Sequence, residues 1–478
     1  MKPKQLKKLF LITLLIAVTG AAMAYSSKIP GIFSQNPPVA ASSHRTISDG
    51  IVSVSGHLIQ DKVLLGSAGT ISMNLIIQAD QTGATSIGQS RGVDLVIVLD
   101  RSGSMKGRKI DDARQAVLQL LTSLNASDRL ALVTYSDDVR IAADLLNVTD
   151  DNRRRLAAAV NSVWVGGGTN LGAGLQAGIN ILNSAIRSNN AGKVILISDG
   201  LANKGVTDIN ALGNMAAIAV ENEFGVSTVG VGVEFNEHLM TALADRGAGS
   251  YYYLENPAAF AEVFQKEFHD TRAAVVSNLK IQIPTQDGIT LADAAGYPLI
   301  HRNGQVEFYP GSLLSGQIRQ LYLTLQVPTT SERNFVLSNI KIAYSYDNRH
   351  FETTLNDRLM IACVNDQSKV FSSIDKTSWT EKVINEDFNR LKQEVAVDLK
   401  SGDKRQAMDR IQKYQDEQQA VNAAVDSQRI AENLDKDLKA LTEYVEETFQ
   451  GAPAAVREKQ KANAKALQYE GYRGRRQQ

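Results

Sequence analysis

The residues with the clearest chemical potential are Asp100, Ser102 and Ser104, spaced two apart in DRSGSM. They close an unbroken apolar run, DLVIVLD over 94–100, which reads as a strand covered on both faces. In an open parallel sheet, ligands gather at the carboxyl ends of the strands. Small hydroxyls and Gly103 let such a loop fold around something compact. Two more loops are candidates for the same edge: Gly166-Gly167-Gly168-Thr169-Asn170, ahead of a helix, and Ser198-Asp199-Gly200, at the end of KVILIS. Asp100, Ser102, Ser104, Thr169 and Asp199 together offer two carboxylates and three hydroxyls. These are hard oxygen donors with no His or Cys among them. That set suits Mg²⁺, Ca²⁺ or Mn²⁺ rather than zinc or copper.

Other chemistry finds little support. The six histidines are scattered, and none falls in an HExxH pattern. No GxxxxGK[ST] loop occurs, and no GxSxG stands in a strand–turn–helix setting. The single cysteine, Cys363, lies in the apolar run LMIACV and reads as a core thiol. One cysteine excludes an intrachain disulfide and a Cys-based zinc cluster. With 51 basic and 51 acidic residues, the 478-residue chain has no net charge, which gives no support for a general nucleic-acid binder. The expectation is a protein that is not an enzyme.

The elements that must position the five residues follow from hydrophobic period. Buried strands (94–100, 129–135, 193–198, 226–232) alternate with amphipathic helices over 90–271, the mark of a doubly wound α/β domain with a mostly parallel sheet. Tyr251, Tyr252 and Tyr253 read as a packed edge strand. Over 275–365 the period becomes two, as in QIRQLYLTLQVP, which predicts an antiparallel β-sandwich. Residues 46–89 also alternate as strands. They are expected to complete that sandwich, with the α/β domain inserted between its parts. A helical region covers 375–450. The last segment, 451–478, is expected to be a solvated basic tail, net +5 over 453–478.

At the start, Lys2, Lys4, Lys7 and Lys8 precede an apolar run, and Ala22-Met23-Ala24 closes a small-residue end. Residues 1–24 thus read as a secretory signal peptide, and the Ser/Pro/Ala-rich 25–45 as a flexible spacer. The run from Leu9 to Ala24 is short for a membrane span, which wants roughly 20 residues. Removing 1–24 leaves a net charge of −4 and no membrane span in the mature chain. The expected location is the periplasm or cell surface of a bacterium, with an N-terminal membrane anchor as the alternative.

Asp100-x-Ser102-x-Ser104, with Thr169 and Asp199 on the right elements, resembles the metal-ion-dependent adhesion site of von Willebrand factor type A domains. The resemblance covers about 90–271. It implies that Ser102, Ser104 and Thr169 bind a divalent cation, most simply Mg²⁺, through their hydroxyls. Asp100 and Asp199 would bind directly or through water. The remaining position would take a carboxylate from a partner protein. The implied function is a non-enzymatic cell-envelope protein that grips a partner's acidic residue through the cation. The alternative is a structural or assembly component in which the metal only stabilises the domain. Arg101, at the variable position of the motif, reads as a solvated side chain, with steering of an acidic ligand as the other possibility. The 46–89 segment is too short for the large N-terminal domain of inter-alpha-trypsin-inhibitor-like proteins, and the chain looks more like bacterial exported proteins of the type A family.

Overall fold

The computed structural model describes residues 46–47, 50–81, 92–185, 190–254, 259–347, 349–425 and 428–476. The candidate signal (1–24) and spacer (25–45) lie outside the described residues. Among those described, no helix is long and apolar enough to cross a membrane.

Four strands come first: β1 (Thr46–Ile47), β2 (Val52–Leu58), β3 (Lys62–Leu64) and β4 (Thr70–Ala79). The α/β domain follows. Its strands are β5 (Val93–Asp100), β6 (Arg129–Tyr135), β7 (Val139–Asn147), β8 (Ala191–Ser198), β9 (Phe224–Val231) and β10 (Ala248–Leu254). Its helices are α1 (Arg108–Ser123), α2 (Asp150–Asn161), α3 (Leu171–Ser184), α4 (Ile209–Glu221), α5 (Glu237–Arg246) and α6 (Phe260–Ala273). The sheet runs β10-β9-β8-β5-β6-β7, parallel except where β7 turns back along β6. β5 is central and every one of its residues is buried, which is why its sequence is a continuous apolar run. Leu95, Ile97 and Leu99 face α1, α2 and α6; Val96 and Val98 face α3, α4 and α5. The tyrosine run is the edge strand β10, as its sequence suggests.

The β region supplies β11 (Ala274–Pro284), β12 (Thr290–Ala294), β13 (Ile300–Arg302), β14 (Gln305–Leu314), β15 (Ile318–Gln326), β16 (Asn334–Leu337), β17 (Ile340–Tyr346), β18 (Arg349–Leu355) and β19 (Leu359–Val364). Two five-stranded sheets form, β1-β2-β4-β15-β12 and β13-β14-β11-β17-β18, beside a small β16-β19-β3 sheet. β4 and β15 are paired along their whole length, from Thr70 opposite Gln326 to Gln78 opposite Ile318. The early strands therefore complete the sandwich, and the α/β domain is inserted between β4 and β11. Period-two positions Ile71, Met73, Leu75 and Ile77 meet Leu321, Leu323 and Leu325 in one core. The other face of this sheet is covered too. Ile59 and Tyr322 pack into a cluster with Trp379, Leu391 and Val395 of the helical region.

That region comprises α7 (Gln367–Ser372), α8 (Lys376–Lys382), α9 (Phe388–Ser401), α10 (Lys404–Val425), α11 (Gln428–Thr448) and α12 (Pro453–Arg475). Gly402, at φ +80, ends α9, and Asp403 accepts a hydrogen bond from the Gln406 N–H at 2.9 Å to start α10.

The end of the chain differs from expectation. The segment read as a solvated basic tail is helix α12, and its basic residues are partly buried. Lys465 donates to Glu237 (2.7 Å) and to the Phe235 carbonyl (2.8 Å). Arg475 lies between Asp293 (2.7 Å) and Glu386 (2.6 Å). Arg476 pairs with Asp245 at 2.9 Å and donates to the Gly296 carbonyl. The Tyr472 hydroxyl donates to the same Asp245, and its ring meets Tyr251 edge-on. Local charge counting misled because the acids that neutralise these cations come from distant sequence, in the α/β domain, the sandwich and the α8–α9 junction. The helix thus ties three bodies together.

Two outcomes follow from these contacts. Residues 275–365 made alone leave β15 without β4, exposing Leu321, Leu323 and Leu325, so the fragment should show no cooperative thermal transition. A sharp melt would contradict the shared sandwich. The second concerns Glu237, whose side chain is 5% exposed. Burial alone would raise its pKa, but hydrogen bonds from Lys400 and Lys465 hold it at about 2. A depressed folded-state pKa stabilises fully above the ordinary value of 4.5 and is lost as pH falls from there towards about 2. Glu237→Gln should cost about 3 kcal/mol in urea unfolding at neutral pH. The gap from wild type should close on acidification. A pH-independent gap would contradict the clamp.

Candidate metal centre

The carboxyl end of β5 lies between β6 and β8, with Asp100 opposite Tyr135 and Leu99 opposite Ile197. That register sets Asp100 beside Ser198. The Ser198 hydroxyl donates to Asp100 Oδ2 at 2.7 Å, and the Ser102 N–H donates to Asp100 Oδ1 at 2.8 Å. After Ser102 a 3-10 turn, Gly103–Met105, brings the chain round. Met105 is fully buried and pins the turn to the α1 side of the sheet. The Ser102 and Ser104 hydroxyl oxygens end 3.0 Å apart.

The other two loops close on this turn. Ser104 Oγ donates to Asp199 Oδ1 at 2.8 Å, joining the ends of β5 and β8. The glycine-rich loop is bound to the first through its backbone: the Gly166 N–H donates to the Arg101 carbonyl (2.8 Å), and the Gly103 N–H to the Gly167 carbonyl (3.1 Å). Gly167 has φ +83, and a Cβ there would come within 2.4 Å of Asp137 Oδ2, so a side chain is excluded on both counts. Asn203 holds Thr169 by accepting from its N–H at 2.9 Å and donating its own N–H to the Thr169 carbonyl at 3.1 Å. Asn170 caps α3, accepting from the Ala173 N–H at 3.3 Å. A methyl group at Gly200 would sit 3.4 Å from Ser104 Oγ and 3.6 Å from Thr169 Oγ1, which shows how closely the three loops approach.

All five residues singled out in the sequence therefore meet at one sheet edge. Asp100 and Asp199 are fully buried, Ser102 and Thr169 nearly so, and Ser104 is exposed. Burial raises the Asp100 pKa to about 6, against hydrogen bonds from Ser102 and Ser198, and the nearby Asp199 adds to the rise. The cluster is thus two carboxylates in a poorly solvated place, each with hydroxyl company. Among the described residues, no group of three or more His, Cys, Asp or Glu converges anywhere. A metal bound here would depend on the hydroxyls.

Some participants escaped the sequence reading. Lys109, in the first turn of α1, places its ammonium on Asp199 Oδ2 and donates to the Ser104 carbonyl at 3.3 Å. Ser198 serves Asp100 directly. Only spacing hinted at either: Lys109 stands one helical entry beyond Ser104, and Ser198 precedes Asp199. Arg101 is not the solvated side chain expected. It is 1% exposed, pairs with Asp138, and its guanidinium lies 4.5 Å from the Trp164 ring centroid. A neighbouring carboxylate and an aromatic face replace the water it gives up.

Residues 94–266 match the model of the von Willebrand factor type A domain. An uncharacterized Escherichia coli protein, YfbK, is 31% identical over 196 residues, 40% of this chain and 33% of that protein. Inter-alpha-trypsin inhibitor heavy chain H1 of Sus scrofa is 28% identical over 227 residues, 46% of this chain and 24% of that one. The matches thus span a third or less of these two curated relatives. Among solved structures, a von Willebrand factor type A protein from Catenulispora acidiphila superposes with a TM-score of 0.64 at 15% identity, covering 90% of this chain and 97% of that one. The ArnB paralog VWA2 from Sulfolobus acidocaldarius gives 0.52 at 18% identity, covering 83% and 98%. These likenesses show that the fold extends beyond the α/β unit. The central sheet, its helices and the sequence match agree, and the α/β domain of this chain is a von Willebrand factor type A domain.

Proposed function

We propose that this is a non-enzymatic protein of a bacterial cell envelope that binds an acidic residue of a partner protein through a divalent cation, most simply Mg²⁺. Asp100, Ser102, Ser104, Thr169 and Asp199 would hold the cation. The observation that carries this reading is the convergence of five oxygen-bearing side chains, two of them buried carboxylates, one of which already attracts a cationic group of the protein itself. The donor set fits: hard oxygens throughout, with Ca²⁺ and Mn²⁺ as alternatives to Mg²⁺. A cation bound there would supply positive charge at the sheet edge, and with its carboxylates partly held off through water it would be incompletely neutralised and so attractive to a partner's Asp or Glu.

The chain's own residues do the rest. Ser198 and the Ser102 N–H orient Asp100 and keep both of its oxygens in place. Asn203 and Asn170 fix the backbone on either side of Thr169. Lys109 offsets the charge of Asp199 in the absence of a metal, so it competes with one. Type A domains form a family of interaction and adhesion modules, which supports a binding role. The export pattern in residues 1–24 supports the envelope.

A second reading has its own support: four of the five residues are buried, so a cation held by them could act on domain stability alone. Calorimetric titration separates the site from its absence. Wild type should bind Mg²⁺, Asp100→Ala should lose that binding while keeping its circular dichroism spectrum, and equal affinities would overturn the assignment. Lys109→Met should bind Mg²⁺ several-fold more tightly, since one competing charge is gone. Unchanged or weaker binding would mean that Lys109 does not compete. Pull-downs from envelope extracts, with and without EDTA, separate the two functions. A partner retained by wild type in Mg²⁺ and lost with EDTA or Asp100→Ala supports adhesion. A melting temperature that drops with EDTA beside an unchanged partner set supports stabilisation.

A further inference from the structure

Away from the metal centre, the α/β domain and the sandwich form the walls of an open cleft of about 640 Å³. Helices α4 and α5 form one wall, and the outer face of the β13-β14-β11-β17-β18 sheet forms the other. The size is in the range of small-molecule sites, which commonly sit where two domains meet. Its lining is divided. Ala217, Val220, Leu299, Ile300, Tyr309 and Phe351 give an apolar body with two aromatic faces. Arg246, Lys280 and Arg302 bring positive charge to the same space.

The charges are unbalanced. Among the described residues, no ion pair involves Arg246, Lys280 or Arg302. Arg246 is held by neutral acceptors, the Asn210 carbonyl at 3.2 Å and the Asn214 side chain at 3.0 Å. Two acids also line the cavity, but neither neutralises these cations. The Asp245 carboxylate is already taken by Arg476 and the Tyr472 hydroxyl, both at 2.9 Å. Glu221 is exposed at the rim. His350 and the Ser345 hydroxyl, 3.1 Å apart, share the Glu223 carboxylate, which accepts from Ser345 at 2.9 Å and is thereby engaged by that pair rather than by Lys280 or Arg302. Tyr309 stands between the two characters of the site. Burial raises its pKa, the Glu307 and Glu221 carboxylates add to the rise, and Arg302 is near enough to oppose it.

An inorganic anion would satisfy the cations and leave the apolar surface wet. A neutral hydrocarbon would fill the floor and leave cations facing it. The geometry points to a binding site for a small amphiphilic carboxylate, its anionic head at Lys280 and Arg302 and its apolar body against Tyr309, Phe351 and Ile300. The site is independent of the metal centre and of the function proposed for it.

Octanoate is the probe, with octylamine as the same chain bearing the opposite charge. Titrations use the full chain in EDTA, which takes the metal centre out of play, and Asp100→Ala should bind octanoate as wild type does. Octanoate should give saturable binding at one site, and octylamine none. Lys280→Ala with Arg302→Ala should weaken octanoate by about tenfold, the scale of a lost charge-assisted hydrogen bond. Ala217→Trp keeps all three cations and fills the cavity, and should abolish binding without lowering the melting temperature. The proposal is overturned if octanoate does not saturate, if octylamine binds equally well, or if both the charge-removing and the cavity-filling variants bind octanoate like wild type.

Discussion

Two carboxylates buried within one hydrogen-bonded cluster are the constraint around which the α/β domain is arranged. Taking a charge out of water costs several kcal/mol unless something replaces the water. Here the replacements are specific: two donors on Asp100, and a hydroxyl and an ammonium on Asp199. Each needs its loop in one conformation. Gly167 must adopt φ +83, Met105 must be buried beneath the turn, and β5 must lie between β6 and β8. A domain built only for stability would place apolar groups at these positions. Retaining acids there is consistent with binding a cation.

The same logic of distant charge neutralisation operates at the other end of the chain. Helix α12 carries cations to acids on three separate bodies, and its aromatic residues Tyr469 and Tyr472 fill the face of β10. The α/β domain is also tied to the sandwich at its exit. β4 ends in the sandwich sheet that β15 completes, and α6 runs straight into β11, with Ala273 ending one and Ala274 starting the other. An inserted domain tied by its exit and by α12 is restricted in how it can move against the sandwich.

Much of this was legible in the sequence. The buried strands at 94–100, 129–135 and 193–198 announced themselves because a strand covered on both faces has no polar alternation to obscure it. The sandwich was readable from period two, and its missing strands could be found because 46–89 had no other partner. Four of the site residues were legible because they sit next to strand ends, where sequence order gives spatial order, and Thr169 because its glycine-rich loop opens a helix. What was hidden depended on pairing across long separations. Lys109 and Asp199 are 90 residues apart, and Lys465 and Glu237 are 228 apart. Arg101 looked solvated because nothing local reveals that Trp164 and Asp138 enclose it. The cavity between α4 and the sandwich outer face was invisible for the same reason, since no single segment carries its lining.

The most direct measurement on the central claim is a crystal structure with Mn²⁺, read by anomalous scattering. The account predicts a peak bonded to Ser102 Oγ and Ser104 Oγ, close to Asp100, Thr169 and Asp199, with the Lys109 ammonium displaced from Asp199. A crystal soaked in Mn²⁺ that shows no peak there, with Lys109 still seated on Asp199, would contradict it.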